Sequence, residues 1–211
     1  MAIEIDPTRD ALVIVDVQND FCPRGALGVP EGDRVVPVLN RYAERFSARG
    51  APVFASRDWH PAKTTHFKAY GGVWPPHCVQ GTPGAEFHPA LRLPEGTEVL
   101  SKGMDPTSDA YSCFHAETAD GMPFAAALGE RGVSRLFIGG LATDYCVKST
   151  VVDGLQAGFE MVVLEDAVAP VDLTPGDGER ALAVIRAAGA QIVRFDDVRS
   201  EERRVGKECR L

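Results

Sequence analysis

The chain lacks the features that would place it in a membrane or an oxidising compartment. No apolar run in its 211 residues approaches the roughly 20 needed to cross a bilayer. Its start, Met-Ala-Ile-Glu-Ile-Asp, has neither the basic nor the apolar region of a signal peptide. Its five cysteines are an odd number without regular spacing, which argues against a disulfide framework. We therefore expect a cytoplasmic protein.

Basic clusters are also missing from the body of the chain, whose formal net charge is −8. Nucleic acids and anionic membranes attract grouped Lys and Arg, so neither is an expected partner. No Gly-x-Gly-x-x-Gly turn follows the first predicted strand, which disfavours a dinucleotide-dependent oxidoreductase. With 45% hydrophobic and 25% charged residues, the composition fits one globular domain.

Residues 199–211 differ from the rest because they are rich in charge and show no apolar periodicity. Their sequence closely resembles the in-frame translation of a common short-read sequencing adapter. We therefore expect a folded domain over 1–198 and a non-native tail over 199–211, from a gene assembled out of environmental reads. An ordinary charged tail is the alternative.

Short apolar runs alternate with helical patterns along the chain. The apolar runs predict strands at 11–16, 52–58, 98–102, 136–139, 160–165 and 191–195. Amphipathic spacing predicts helices at 34–49, 124–131, 147–157 and 177–188. Strands that are apolar on both faces and alternate with helices are typical of a covered parallel sheet. The expected fold is a Rossmann-like, three-layer α/β/α arrangement with a central, mostly parallel six-stranded sheet.

Chemically capable side chains follow four of these strands. Asp16 ends the first strand, Asp58 the second and Lys102 the third, and Cys146 lies just beyond the fourth. Ligands of parallel sheets bind outside the carboxyl ends of the strands, so these four residues should share one rim. Each of them could instead cap a helix or form a structural ion pair.

Cys146 stands at the predicted start of a helix. Unpaired N–H groups and the helix dipole stabilise a thiolate there, so we expect a lowered pKa and a usable nucleophile. Asp16 could take the thiol proton and return it to a leaving amine, while Lys102 holds the charges in place. The alternative is an inert buried cysteine beside a structural ion pair.

A second group of polar side chains surrounds the end of the second strand. Asp58 and His60 stand two residues apart, and His66 and His77 follow on a long loop. Imidazole and carboxylate ligands of this kind suit Zn²⁺, Fe²⁺ or Mn²⁺. Three of the five histidines fall within eighteen residues beside an aspartate, which favours a metal site over ordinary loop histidines.

Aromatic residues near these groups could form the walls of a pocket for a flat substrate. They could equally be core packing, and the sequence alone leaves both interpretations open. The residues are Phe21, Trp59, Trp74 and Tyr111.

Five segments of the chain form a recognisable series. They are Asp16-Val-Gln-Asn-Asp-Phe21, Asp58-Trp-His-Pro, Trp74-Pro-Pro-His-Cys-Val-Gln-Gly-Thr82, Ser101-Lys-Gly and Gly140-Leu-Ala-Thr-Asp-Tyr-Cys-Val147. In this order they resemble the nicotinamidases of the isochorismatase-like cysteine hydrolases. The likeness extends from Ala11 to about Phe195, and the metal segment narrows it from the superfamily to the nicotinamidases.

The resemblance implies a role for each matching catalytic residue. Cys146 would attack the carboxamide carbon of nicotinamide, with Asp16 as the base and then the acid, and with Lys102 positioning Asp16. Water activated by Asp16 would then hydrolyse the thioester to nicotinate. A cis peptide before Ala142 would aim its N–H, with that of Cys146, at the developing oxyanion.

The same resemblance implies one divalent metal ion that binds the pyridine nitrogen and orients the ring. Zn²⁺ is the expected ion, with Fe²⁺ and Mn²⁺ as alternatives. Its ligands would be Asp58, His60 and His77, while His66 matches a position that is a ligand in some members only. The implied substrate-binding aromatic residues are Phe21 and Trp74, on either side of the ring, and Tyr111.

The expected partner is therefore a small molecule, nicotinamide, and pyrazinamide-like analogues and a homo-oligomer remain open. One alternative is another amidase of this superfamily, acting on a carbamoyl or ureido substrate; such enzymes generally lack the Asp-x-His…His segment. A second alternative is a catalytically dead metal-binding homologue, which would not need Asp16, Lys102 and Cys146 together.

Overall fold

A parallel sheet forms the centre of the computed structural model, which describes residues 2–199. The strands are β1 (Ile3–Glu4), β2 (Asp10–Val15), β3 (Val53–Asp58), β4 (Glu98–Lys102), β5 (Arg135–Leu141), β6 (Glu160–Ala169), β7 (Gln191–Val193) and β8 (Val198–Arg199). Six of them form the main sheet in the order β4-β3-β2-β5-β6-β7, and every neighbouring pair is parallel. The predicted sheet is confirmed.

Helices cover both faces of this sheet. They are α1 (Val35–Ala48), α2 (Phe124–Glu130), α3 (Lys148–Gln156) and α4 (Asp177–Ala187). Alternate residues of the fully buried β2 divide between the two layers. Leu12 and Ile14 belong to the same hydrophobic core as α1, whereas Val13 and Val15 belong to the core under α2 and α3. A strand that is apolar on both faces therefore marks the middle of the three layers. Within the described residues no helix is long and apolar enough to cross a membrane.

Strand β6 is longer than its sequence predicts. The predicted end at Glu165 rests on two acidic residues that interrupt the apolar run, yet the strand continues to Ala169. Asp166 is accommodated because its carboxylate accepts hydrogen bonds from the Tyr42 hydroxyl and the Phe195 N–H, each over 3.0 Å. Polar residues in a strand need such partners when they are partly buried.

A small second sheet joins the two ends of the described chain. Strand β8 pairs in parallel with β1, and Arg199 lies opposite Glu4. The first residue of the predicted tail thus takes part in the fold. The rest of that tail, residues 200–211, lies outside the described residues, so its non-native origin stays a prediction.

Gly140 allows β5 to lie directly against β2 near the ends of both strands. Its φ is 125°, in the region that favours glycine, and a Cβ at this position would overlap the backbone of Val15. The close approach brings the segment after β5 up to the end of β2.

Replacing Gly140 with alanine should destabilise the protein by about 3 kcal/mol or more, through overlap with Val15 and an unfavourable φ. Denaturant unfolding measures this loss. Gly158→Ala is the matched control, because its φ is 90° but no described atom lies within 4 Å of the added methyl group. Only a backbone cost of about 1–2 kcal/mol is expected there. Equal losses in the two variants would show that the close approach is unimportant.

Candidate active site

The carboxyl ends of β2, β3 and β4 bring three charged side chains into one buried cluster. Asp16 directly follows β2, and Asp58 and Lys102 are paired as the last residues of β3 and β4. The Lys102 Nζ lies 2.8 Å from Asp16 Oδ2 and also contacts Asp58 Oδ1. All three residues are buried. The structure confirms that these three strand ends converge.

Cys146 approaches this cluster from the segment after β5. The residues Thr143–Val147 form a π-helical turn, and α3 begins only at Lys148. The Cys146 Sγ lies 3.6 Å from the Lys102 Nζ, and the residue is buried. The sequence correctly places the cysteine between β5 and a helix but does not predict the π-helical turn.

Burial governs the protonation of this cluster. It raises the pKa of the Cys146 thiol well above its ordinary value, although the nearby Lys102 cation acts in the opposite direction. The lowered pKa expected from a helix start is therefore wrong, because desolvation outweighs the local positive charge. Burial also raises the pKa of Asp16. For both groups, burial thus favours the neutral form over the charged one.

Ser56 is a partner of Asp16 that sequence reasoning missed. Its Oγ donates a 2.7 Å hydrogen bond to Asp16 Oδ1, so the two oxygens of this carboxylate face a hydroxyl and the Lys102 ammonium. Both Ser56 and Asp16 are fully buried. The position of Ser56 in a buried strand indicates that its hydroxyl needs a hydrogen-bond partner but does not identify that partner.

Three histidines lie beside this charged cluster. The side-chain donor atoms of His60, His66 and His77 lie within 4.8 Å of one another, and all three residues are buried. In each ring Nδ1 already has a partner: the Gly103 carbonyl at 3.0 Å, the Asp109 carboxylate, and the Pro75 carbonyl at 2.8 Å. A carbonyl oxygen can only accept, so Nδ1 of His60 and of His77 donates, and Nε2 is left as a lone-pair donor. This outer support is typical of metal-binding histidines.

The histidine cluster fits a divalent metal ion. The His60 Nε2 is buried without a hydrogen-bond partner, which a metal would supply. Asp58 Oδ2 lies 3.5 Å from this atom and 3.8 Å from the His77 Nε2. Burial lowers the pKa of His77 to about 4, so its ring is neutral and able to ligate at neutral pH. His66, which the sequence left open, belongs to the cluster.

Asp58 connects the histidine cluster to the charged cluster. One of its oxygens contacts the Lys102 ammonium and the other faces His60 and His77. Burial would raise the pKa of this carboxyl, but Lys102 and His60 together hold it well below its usual range. Gln18 fixes the backbone here: its amide accepts the Asp58 N–H and donates to the Asp58 carbonyl, each over 2.8 Å.

A narrow cleft of about 480 Å³, including its open mouth, is lined by residues of both clusters. Its lining residues are Phe21, Leu27, Val29, Asp58, His66, Trp74, His77, Ala110, Tyr111, Leu141, Ala142, Tyr145, Cys146 and Val171. The cleft contains the three predicted substrate-binding aromatic residues. Trp59, whose role the sequence left open, is not among these residues; its ring lies 3.8 Å from the Arg57 guanidinium carbon. Mostly apolar walls with a few polar groups are typical of a small-molecule site.

The aromatic walls contact one another across three segments of the chain. The Trp74 Nε1–H donates a 2.9 Å hydrogen bond to the Tyr111 hydroxyl, and the Tyr145 ring packs edge-on against Trp74 at 5.3 Å. Sequence reasoning missed Tyr145, although it directly precedes Cys146. The peptide between Leu141 and Ala142 is cis, as the resemblance implies.

These features define an α/β protein whose small-molecule site lies at the carboxyl ends of a parallel sheet and combines a thiol with a cluster of three histidines. The chain belongs to the isochorismatase family. The family model described as "Isochorismatase domain" matches residues 10–197.

Individual relatives agree with this assignment. The nicotinamidase of Escherichia coli (strain K12) is 40% identical over 203 residues, which cover 89% of this chain and 95% of the relative. The pyrazinamidase of Pyrococcus horikoshii, solved in complex with zinc, is 46% identical with a TM-score of 0.82, covering 89% of this chain and 99% of that one. PnC1 from L. infantum, solved in complex with nicotinate, is 32% identical with a TM-score of 0.85, covering 95% and 100%.

Replacing Lys102 with methionine should destabilise the protein by about 3–5 kcal/mol, because two buried carboxylates lose their shared cation. Denaturant unfolding at neutral pH gives the free energy of unfolding. The control is Arg34→Met, since Arg34 pairs with Glu31 at the surface and exposed pairs contribute little. A Lys102→Met variant as stable as Arg34→Met would contradict the electrostatic role given to Lys102.

Proposed function

We propose that this protein hydrolyses nicotinamide to nicotinate and ammonia. The observation that carries the proposal is the position of the Cys146 thiol, which shares one narrow aromatic cleft with the histidine cluster and with Asp58. The names of the relatives support it, since the E. coli protein is a nicotinamidase and the L. infantum protein binds nicotinate. Phe21, Trp74 and Tyr111 provide the walls for a planar ring.

The first half of the reaction forms a thioester. The Cys146 Sγ attacks the carboxamide carbon while Asp16 takes the thiol proton, because burial raises the pKa of the thiol and disfavours a free thiolate. Lys102 keeps the carboxylate of Asp16 in place. The N–H groups of Ala142 and Cys146 stabilise the oxyanion, with donors of this kind worth about 3 kcal/mol each. Asp16 then protonates the amide nitrogen, the C–N bond breaks, and ammonia leaves.

The second half releases nicotinate. Asp16 removes a proton from a water molecule, whose oxygen attacks the thioester carbon. The C–S bond breaks and Asp16 returns the proton to the sulfur of Cys146, so the resting thiol is restored. The same carboxyl group therefore serves as base and acid twice, which its raised pKa favours.

The histidine cluster orients the substrate. The residues that would hold a divalent ion are Asp58, His60, His66 and His77. When bound, the ion supplies an electron-pair acceptor for the pyridine nitrogen, with Zn²⁺ as the proposed ion and Fe²⁺ or Mn²⁺ as alternatives. The protein's own contribution is the position of this cluster in the same cleft as Cys146.

Cys146→Ala should abolish ammonia release from nicotinamide, because no other group replaces the sulfur nucleophile. The assay compares the intact protein with this variant and with Cys22→Ala, which removes another buried thiol that does not line the cleft. The Cys22 variant should retain most activity. Turnover that survives in Cys146→Ala would refute the mechanism. Turnover of a carbamoyl compound but not of nicotinamide, by the intact protein, would refute the substrate.

His60→Ala and His77→Ala should each lose most of the bound metal and most of the activity, since each removes a buried ligand. Elemental analysis of the purified variants gives the metal content per chain and identifies the ion. His115→Ala is the control, because that histidine is exposed and lies outside the cleft. Full metal content in both ligand variants would mean that the histidines serve another purpose.

A further inference from the structure

The first-strand motif contains a carboxylate that the reaction above does not use. Asp20 lies directly before Phe21 and is half-buried. Its Oδ2 accepts the backbone N–H of Cys78 over 2.7 Å, and its Oδ1 accepts that of Ala26 over 3.2 Å. One side chain thus binds two backbone groups that lie in different loops. Hydrogen bonds to a charged acceptor of this kind are stronger than neutral ones.

Each of the two loops supplies a different part of the cleft. The first loop includes Phe21, one of the aromatic walls, and the second includes His77, a member of the histidine cluster. The Phe21 and His77 ring centroids are 5.5 Å apart. Cys78 directly follows His77 and has a φ of 44°, a left-handed conformation that side chains other than glycine rarely adopt. The hydrogen bond from Cys78 to Asp20 therefore stabilises the backbone that directs His77.

Gly84 leaves the space that the Asp20 carboxylate occupies. A Cβ built on Gly84 would overlap the carboxylate carbon and both oxygens of Asp20. Gly84 lies in the short turn Pro83–Ala85, and its φ is outside the left-handed region. Its backbone would therefore accept alanine, and the absence of a side chain serves the contact with Asp20.

We propose that Asp20 is a positioning residue that sets the distance between the aromatic wall at Phe21 and the metal ligand His77. The inference rests on the proposed function, in which the substrate ring lies against Phe21 while its nitrogen faces the histidine cluster. An error in this distance weakens the binding of the ring and of the metal. It does not alter the Cys146–Asp16–Lys102 cluster that breaks the amide bond.

Two variants disturb the Asp20 contact in different ways. Asp20→Asn keeps the size of the side chain, but an amide can accept from only one of the two N–H groups. Gly84→Ala leaves Asp20 in place and adds a methyl group where the carboxylate lies. We expect each variant to raise the KM for nicotinamide about tenfold, because a charged hydrogen bond contributes a free energy of that size. We expect kcat to stay within about twofold, because the contact supports the ground state and the transition state equally.

Metal affinity is the second measurement, and it does not depend on turnover. Titration of chelator-treated protein with Zn²⁺ should show that both variants bind the ion about tenfold more weakly than the intact protein does. A loss of this size is typical when a metal-binding histidine loses its supporting contacts. Asn19→Ala is the matched control, because the Asn19 amide joins the same two loops through the Pro83 carbonyl at 2.8 Å without contacting Cys78. Gly129→Ala controls for adding a methyl group, in open space.

The outcomes separate this inference from the proposed function. Unchanged KM and Zn²⁺ affinity in Asp20→Asn and Gly84→Ala would overturn the positioning role. An equal change in Asn19→Ala would also overturn it, because general attachment of the two loops would then suffice. If the intact protein does not turn over nicotinamide but the variants still bind Zn²⁺ more weakly, the proposed function fails while the link from Asp20 to His77 stands.

Discussion

The buried ammonium group of Lys102 is the interaction on which the rest of the site depends. It lies between Asp16 and Asp58 and within 3.6 Å of the Cys146 sulfur, so one cation serves three groups from three other segments. Without it, the ends of β2 and β3 would present two carboxylates to each other in a region of low dielectric. The parallel register, which places Asp58 opposite Lys102, makes this neutralisation possible.

Asp58 contacts both clusters of the site. Because its two oxygens face opposite clusters, the position of the histidine cluster is linked through a single carboxylate to the position of Lys102. The Gln18 amide holds the backbone of Asp58 from both sides. In the proposed function, Asp58 thus connects the residues that bind the substrate ring to those that cleave its amide.

Much of this arrangement could be predicted from the sequence, because parallel strands end at a common edge and Asp16, Asp58 and Lys102 stand at strand ends. Protonation could not be predicted: the pKa of Cys146 depends on how completely the turn after β5 is buried, which a helix-start signal does not reveal. Ser56 was missed since a strand buried on both faces gives no sign of where each side chain points. The predicted end of β6 was wrong because Asp166 is stabilised by a hydrogen bond from Tyr42, which is separated from it by 124 positions in the sequence.

The pairing of β2 with β5 has a consequence for how the molecule comes to be active. Asp10 lies opposite Arg135, so the two central strands meet only after more than half of the chain has closed into one loop. Closing a loop of this length costs conformational entropy, and proteins with many contacts of such sequence separation fold more slowly. Asp16 and Cys146 come together only when this loop has closed, and a fragment lacking either end of this loop has no assembled site. Activity of this protein therefore requires that this loop has closed.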